Sequence, residues 1–564
     1  MLKLLTSTTI EVLRFVDVST TTARTVRLDV GLDDLPDGSM RLVRAAGRRL
    51  CLVRTSNGVH ALDHACPHEG YGLTQGVLDG DVLTCAWHNW KFRVDDGTCV
   101  LGEEDVRHHP VTVGDDGSLC VELHDPDPVA ERPKLVASLR SGIERNFVGQ
   151  ISRDVVRLLR ADANPGELVW EAVAHGAPRA DFGWGHSIAS ATDCLAMVDL
   201  YDGDQRALPI VQGISGIAEI ERDRPVNTLP DPASGSGRND RARFRACVEA
   251  EQLTEAQALL RGAIHRGAGA DELRPWLRDV VSDHLLAYGH GAIYAQKAFQ
   301  LLDMLGWDRA DTVLPHLVPT LVYATRMDTL PYMRPFTREL AGVELVELFE
   351  MPVDDAWTDD GRLAAAILDQ GGRADPLHAA TTALRSGAGV DGLLDVVVET
   401  VSARLLRYDP AGEADVHDDF GWLDITHGLT MANAVRWHTA HGPGPDTVRL
   451  ALWCVFLAHW TGRHEWHTRV AEPTEIDLGT SDLEEAGVAL QRRSLDDPSS
   501  SFIVHAHAVK TARAAHEEAR RSGSPVPLQA ATWFIEGPKR ERTVAANVAR
   551  AIDFISGRSP RDRG

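Results

Sequence analysis

Cys66-Pro-His68 and, sixteen residues later, Cys85-Ala-Trp-His88 bring two thiols and two imidazoles into one short stretch. Such a set binds zinc, or a [2Fe–2S] cluster in which two histidines replace two cysteines on one iron. The first would be structural; the second moves one electron. More histidines recur downstream in the segments HSIASA from His186, HGAIYA from His290, HGLTMA from His427 and HAVKTA from His507. Each reads as His, a small residue, an apolar residue, two variable positions and Ala. Imidazole suits non-haem Fe(II). Four copies at matching places of a repeated unit would converge on one axis. The alternative is four hydrogen-bonded core histidines, inherited together.

The elements that must hold these residues change character along the chain. Between about 30 and 125, short alternating runs such as MRLVR, RLCLVR and LCVEL are separated by Asn57-Gly58, Asp79-Gly80, Asp96-Gly97 and Asp116-Gly117. This pattern predicts a small antiparallel domain whose two metal-ligating pairs sit at hairpin tips. Residues 1–29 read as an N-terminal extension, and 126–133, with three prolines, as a linker. From 134 to 564 apolar residues recur at three- and four-residue spacing, predicting a large all-α domain. The polar stretch from Pro225 to Asp240 reads as a surface loop. The irregular segment Pro352–Gly361 suggests halves of 134–350 and 360–564. The tetrapeptide DFGW, at Asp181 and again at Asp419, precedes two of the four histidine segments. The uneven spacing points to a decayed duplication of a helical unit. The expected class is α+β multidomain.

Bulk properties narrow the partners. A formal net charge of −24 over 564 residues argues against nucleic acid or an anionic membrane. No secretory leader is visible at the N-terminus, and the most apolar run, Leu450–Ala458, is too short to span a bilayer. Eight cysteines in so long a chain form no disulfide framework, so a reducing cytoplasm is the expected compartment. Only six basic residues are lysine, among them Lys297 and Lys510; a lysine kept in such a chain draws attention because its amine has chemistry arginine lacks.

The surroundings of the first motif, CPHEG, QGVLDG, CAWHNWKF and Asp96-Gly97, resemble the Rieske ferredoxin family over about residues 30–125. The resemblance implies a [2Fe–2S] cluster with Cys66 and Cys85 on the buried iron, His68 and His88 on the outer one, and Trp87, Trp90 and Phe92 shielding it. Ala86 stands where the family usually has Pro, and Asn89 where it usually has Gly. Glu69 and Gly70 follow His68, so the extra loop cysteines of high-potential members are missing, as in the ferredoxin or oxygenase type.

A fused one-electron carrier implies an acceptor. The Asp-x-x-His-x-x-x-x-His motif of aromatic-ring dioxygenases is absent: DITH, from Asp424, begins it, but Ala432 stands five past His427. The region from 140 to 560 instead resembles the all-helical questin oxidase family, on the His-small-apolar-x-x-Ala segments. That resemblance implies a metal-dependent oxygenase of anthraquinone-like aromatic polyketides, with His186, His290, His427 and His507 as ligands of a mononuclear Fe(II). The N-terminal electron carrier departs from the family's shorter members.

Four neutral imidazoles supply no anion. Lys510, one turn after His507, could take up CO₂ as a carbamate ligand; Lys297 is a weaker candidate, and Asp193 and Asp424 are other anions. His459, His464 and His467 are expected to be peripheral, and His316 and His505 to be substitutes if the repeat register has slipped. Trp184, Tyr288, Tyr294, Trp422 and Trp437 are candidate pocket walls. The expected activity is an O₂-dependent mono- or dioxygenation, or cleavage, of a small aromatic substrate. No flavin or nicotinamide fingerprint is present, so a separate NAD(P)H-dependent reductase is expected as electron donor. A homo-oligomer is compatible with this reading. The competing reading is an electron-transfer protein fused to a non-catalytic helical docking scaffold.

Overall fold

The computed structural model describes all residues except 1–23, 124–126, 236, 415–419, 466–470, 498, 500, 540–542 and 558–564. The chain divides into two compact units, Met1–Val136 and Ala137–Gly564. Asp419 and His467 lie outside the described residues. Among the described residues no helix is long and apolar enough to cross a membrane.

The first unit is antiparallel β. One sheet pairs β1 (Arg24–Gly31), β11 (Ser118–Leu123) and β10 (Val111–Val113). A second orders β2 (Met40–Ala45), β3 (Arg48–Thr55), β4 (Gly58–Asp63) and β9 (His108–His109). Alternation sets the inner faces: Leu119, Val121 and Leu123 of β11 meet Leu50, Leu52 and Ala61 in one apolar cluster. The third sheet is the small ladder β5 (Val77–Asp79), β6 (Val82–Thr84), β7 (Lys91–Arg93) and β8 (Cys99–Leu101). The Asn-Gly and Asp-Gly turns put Gly58, Gly80, Gly97 and Gly117 at positive φ, as tight hairpins require.

Two boundaries differ from the sequence reading. The strand β1 begins at Arg24, inside the expected extension, because its alternating TVRLDV run pairs with the last strand. The expected linker is helical from Pro128 onward: α1 spans Pro128–Glu144. A proline in the first turn forfeits no helical hydrogen bond, so the Pro128 signal marks a helix start.

The second unit is all α. Its helices include α2 (His186–Ala196), α3 (His290–Leu305), α4 (Leu345–Glu350), α5 (Trp422–Ala440), α6 (Pro445–Trp460), α7 (Phe502–Ser522) and α8 (Thr543–Ile555). Helices α2, α3, α5 and α7 pack in a closed ring, α2 on α3, α3 on α5, α5 on α7 and α7 on α2. Small residues allow the close approach. Helix α7 buries Ala506, Ala508, Ala512 and Ala515, and a Cβ at Gly428 of α5 would stand 2.7 Å from Val401 of a further helix, Gly389–Leu406, packed against it.

Candidate metal centres

In the β unit the two motif pairs occupy the loops before β5 and before β7. The Cys66 amide donates to the Tyr71 carbonyl (2.8 Å), and the Cys85 amide to the Trp90 carbonyl (2.7 Å), curling each loop so that its thiol faces inward. Asn89 sits at φ 61°, the left-handed conformation that asparagine tolerates and glycine usually fills. Both thiols are buried, whereas the His68 and His88 rings meet edge to face at 4.3 Å toward the exterior. Burial, and then the neighbouring Cys85, push the Cys66 thiol up to about 12, outweighing the His68 amide. Two adjacent buried thiolates therefore need a cation between them. A thiol pair inside and an imidazole pair outside is the donor division a [2Fe–2S] cluster asks for.

Trp90 stacks on His68 at 4.9 Å, and Phe92 is fully buried. Trp87 differs from the expectation of a shield. It is 56% exposed and stacks on Tyr71 (4.3 Å), because its position in the loop turns it outward past His88. Glu69 reaches within 3.9 Å of His88 Nε2.

In the helical unit the four repeat histidines form one group whose ligating atoms lie within 4.8 Å of one another. Successive ring centroids around the helical ring are 4.8, 4.6, 4.9 and 4.6 Å apart. His186 and His290 open α2 and α3, while His427 and His507 each stand in the second turn of α5 and α7. Each ring is oriented from behind. His427 Nδ1 donates to the Leu423 carbonyl (2.5 Å) and His507 Nδ1 to the Ile503 carbonyl (2.7 Å). His290 bonds the Ala287 carbonyl, and His186 Nδ1 meets the Tyr294 hydroxyl at 3.2 Å.

In His427 and His507, whose Nδ1 carries the proton, Nε2 is left as a lone pair. His290 Nε2 and His427 Nε2 face each other at 2.9 Å, and His427 Nε2 and His507 Nε2 at 3.2 Å. His186 Nε2 is buried and makes no hydrogen bond among the described residues. Burial first, then Lys510 and the neighbouring imidazoles, hold His186 and His507 far below the usual histidine range; burial and Lys510 take His427 to about 3. Neutral rings cannot share protons here, so their facing lone pairs fit a divalent cation.

The chain leading into His290 is strained to reach this place. Ala287, Tyr288 and Gly289 all have positive φ, and a Cβ at Gly289 would stand 2.6 Å from Met431 Sδ. Strain of this kind persists only where the surroundings enforce it. Tyr288 then lies 5.6 Å from the His427 ring.

The other candidates fall into place around this group. Lys510 is buried, its Nζ makes no hydrogen bond among the described residues, and it lies 5.9 Å from the Tyr294 ring centre. Burial lowers its amine to about 7. Lys297 instead pairs with Asp193 (2.8 Å), which also meets Arg513 (3.3 Å). This polar layer lies two turns beyond the histidines and occupies both Lys297 and Asp193. Asp424 caps α5 at the Gly421 amide (3.0 Å) and pairs with Arg463 (2.9 Å).

His316, His459 and His505 are buried, and His464 stacks on Phe420 at 5.1 Å; none joins the four-imidazole group. Trp184 and Trp422 are buried. Trp437 stacks on Phe299 at 5.9 Å. Tyr294, read in the sequence only as a candidate pocket wall, reaches His186 with its hydroxyl and stacks on His290. Its signal was its place, one turn after His290 on the same face.

Two outcomes are expected. Cys66→Ser or His88→Ala abolishes the reddish visible spectrum and leaves the far-ultraviolet dichroism of the helical unit unchanged, since the ligands lie in a separate unit. Tyr294→Phe keeps the ring stacked on His290 but frees His186 Nδ1. Metal affinity of the helical unit, measured by chelator competition, falls by roughly 10–100-fold, as for lost supporting hydrogen bonds elsewhere.

Comparison with known proteins bears on the first of these centres. Residues 28–111 match the family described as "Rieske [2Fe-2S] domain". The ferredoxin component of the naphthalene 1,2-dioxygenase/salicylate 5-hydroxylase systems of Ralstonia sp is 29% identical over 84 residues, 14% of this chain and 81% of that protein. The ferredoxin component of the Xanthobacter autotrophicus alkene monooxygenase system is 39% identical over 67 residues, 12% of this chain and 55% of that one. Against the mouse apoptosis-inducing factor 3, 39% identity extends over 11% of each chain. The solved ferredoxin of carbazole 1,9a-dioxygenase from Nocardioides aromaticivorans is 27% identical over 17% of this chain and 95% of that one, with a TM-score of 0.16. Residues 28–111 of this chain are a Rieske [2Fe–2S] domain.

Proposed function

We propose that the chain is a Rieske-type non-haem iron oxygenase. In this reading the [2Fe–2S] cluster held by Cys66, His68, Cys85 and His88 passes electrons to a mononuclear iron held by His186, His290, His427 and His507. The observation that carries it is one tight group of four imidazoles, in which the Nε2 atoms of His290, His427 and His507 face one another. Ferrous iron held there would supply the one-electron chemistry that lets O₂ react with a closed-shell aromatic ring. The resemblance to the questin oxidases supports an anthraquinone-like polyketide as substrate. The ferredoxin components among the relatives serve oxygenase systems, which supports a separate reductase as electron donor. A purely structural helical scaffold would leave the buried lone pairs uncompensated.

Lys510 completes the donor set in this proposal. Its amine is free to act as a nucleophile because burial favours the neutral form. The nitrogen lone pair bonds to the carbon of CO₂, one C=O π pair moves onto oxygen, and an N–H proton leaves to solvent. The product carries one negative charge and ligates like a carboxylate. Asp193 and Lys297, already paired with each other, are unsuited to this role.

The test is reconstitution with iron in the presence and absence of bicarbonate. Wild-type protein is expected to gain reductant-dependent O₂ uptake only with bicarbonate, and labelled ¹³C-bicarbonate to give a carbamate carbon signal. Lys510→Ala and Lys510→Arg are expected to abolish both, because arginine keeps a charge but forms no carbamate. Lys510→Glu restores part of the iron binding by supplying a carboxylate. An active Lys510→Arg enzyme, or a wild type indifferent to bicarbonate, would contradict the assignment of Lys510. Loss of O₂ uptake in none of the four histidine variants would contradict the oxygenase itself.

A further inference from the structure

His290 differs from the other three imidazoles in how its place is reached. It follows Ala287, Tyr288 and Gly289, all at positive φ, and its ring bonds the Ala287 carbonyl. The residues before it run alongside the chain from Thr325 to Asp328. Leu286 forms an antiparallel bridge with Arg326, the Ala287 amide donates to the Thr325 carbonyl (2.9 Å), and the Met327 amide donates to the Leu285 carbonyl (2.9 Å). Strained residues keep such conformations only when both ends are held. Helix α3 holds one end, and the other end is His284.

His284 is held unlike any of the four metal-site histidines. Its Nδ1 lies 2.8 Å from Asp328 Oδ2, and its Nε2 lies 2.8 Å from Glu249 Oε2. Carboxylates only accept, so both ring nitrogens must donate, which the imidazolium alone can do. Burial opposes that charge, but the hydrogen bonds to Asp328 and then Glu249 outweigh it and raise the ring above the ordinary histidine value. Asp328 Oδ1 also accepts the Leu285 amide (3.2 Å), and Arg326 meets Glu249 at 3.3 Å. The other charges nearby are matched among themselves: Asp283 pairs with Arg245 and Arg449, and Asp279 with Arg241. The ring borders a cleft of about 810 Å³, through which solvent protons reach it.

On the reading of the four imidazoles as a metal site, we propose that His284 is a positioning residue. As a cation between Asp328 and Glu249 it clamps the strained segment and so holds His290 toward the other three rings. A group whose pKa is raised on folding contributes fully below the ordinary histidine value of about 6.5, and loses its contribution as pH rises through the raised value. The deprotonated ring turns a lone pair on one of its two carboxylates, and the clamp loosens. Ligand imidazoles respond in the opposite sense, since a metal competes with protons for them and gains as pH rises. A fall in affinity on the alkaline side therefore belongs to the clamp.

The test follows two properties of the full chain, cluster in place, across neutral and alkaline pH. Hydrogen exchange of the amides from Leu285 to Gly289, corrected for its intrinsic pH dependence, is measured without added metal. Affinity of the helical unit for ferrous iron is measured by anaerobic chelator competition. In the wild type, protection of the segment and iron affinity are both expected to fall on the alkaline side, the affinity by roughly tenfold. His284→Gln is expected to lose that factor already at neutral pH and to show no alkaline fall. Asp328→Asn, which removes one of the two negative charges beside the ring, moves the fall to lower pH. A variant that fails to fold leaves the wild-type profile to decide. A wild type whose segment stays protected at alkaline pH, or a His284→Gln segment that exchanges like wild type, would overturn the clamp. Faster exchange with unaltered iron affinity would overturn its link to His290. If the helical unit binds no iron at any pH, the metal site itself falls, and the exchange profile alone shows whether the clamp stands.

Discussion

Four imidazoles crowded together where four helices meet are the constraint on which the helical unit depends. His290, His427 and His507 hold their Nε2 atoms at 2.9 and 3.2 Å. Burial above all keeps His427 and His507 neutral, and His290 is likewise depressed. Two aprotic nitrogens at hydrogen-bond distance repel unless a cation joins them. A fold that merely tolerated four core histidines would have rotated the rings to share protons. Here each ring is held from behind in the opposite sense, by the carbonyls of Leu423, Ile503 and Ala287 and by the Tyr294 hydroxyl.

The surrounding structure supplies what that arrangement needs. The closed ring of α2, α3, α5 and α7 delivers one histidine from each helix, two at helix starts and two in second turns. Positive φ at three successive residues brings His290 into place, at a cost of order 1–3 kcal/mol for each strained non-glycine residue. Two turns further on, Asp193 joins Lys297 of α3 to Arg513 of α7, fixing α2, α3 and α7 in register by buried ion pairs. Such pairs contribute more to a unique arrangement than to net stability. Lys510, between the two layers, is the one buried amine there without a hydrogen bond among the described residues.

Much of this was legible in the sequence, and what was missed has physical causes. Spacing and turn chemistry single out the two Cys-His pairs of the Rieske domain, because both pairs lie in local loops. The repeated His-small-apolar-x-x-Ala segments identify the four imidazoles, because duplication preserves equivalent positions. Lys297 could not be set aside from the sequence, since its carboxylate lies 104 residues away at Asp193. Asp424 resembled a ligand by proximity to His427 but serves as a helix cap, a role set by Gly421 three residues earlier. Trp87 carries the same side chain as Trp90, and only the loop path turns it outward. The strand β1 escaped notice because its pairing strand is the last of the domain.

The Rieske domain gives the chain a one-electron carrier, and the helical unit supplies a set of donors that such a carrier can serve. The central claim is that the four Nε2 atoms hold an iron distinct from the cluster. X-ray diffraction data from the holoprotein, collected on both sides of the iron absorption edge, test it directly by counting and locating the metal at once. Anomalous density is expected at two positions beside Cys66, His68, Cys85 and His88, and at a third among His186, His290, His427 and His507. Density confined to the cluster, with the four imidazoles bridged by anything other than a metal, would contradict it.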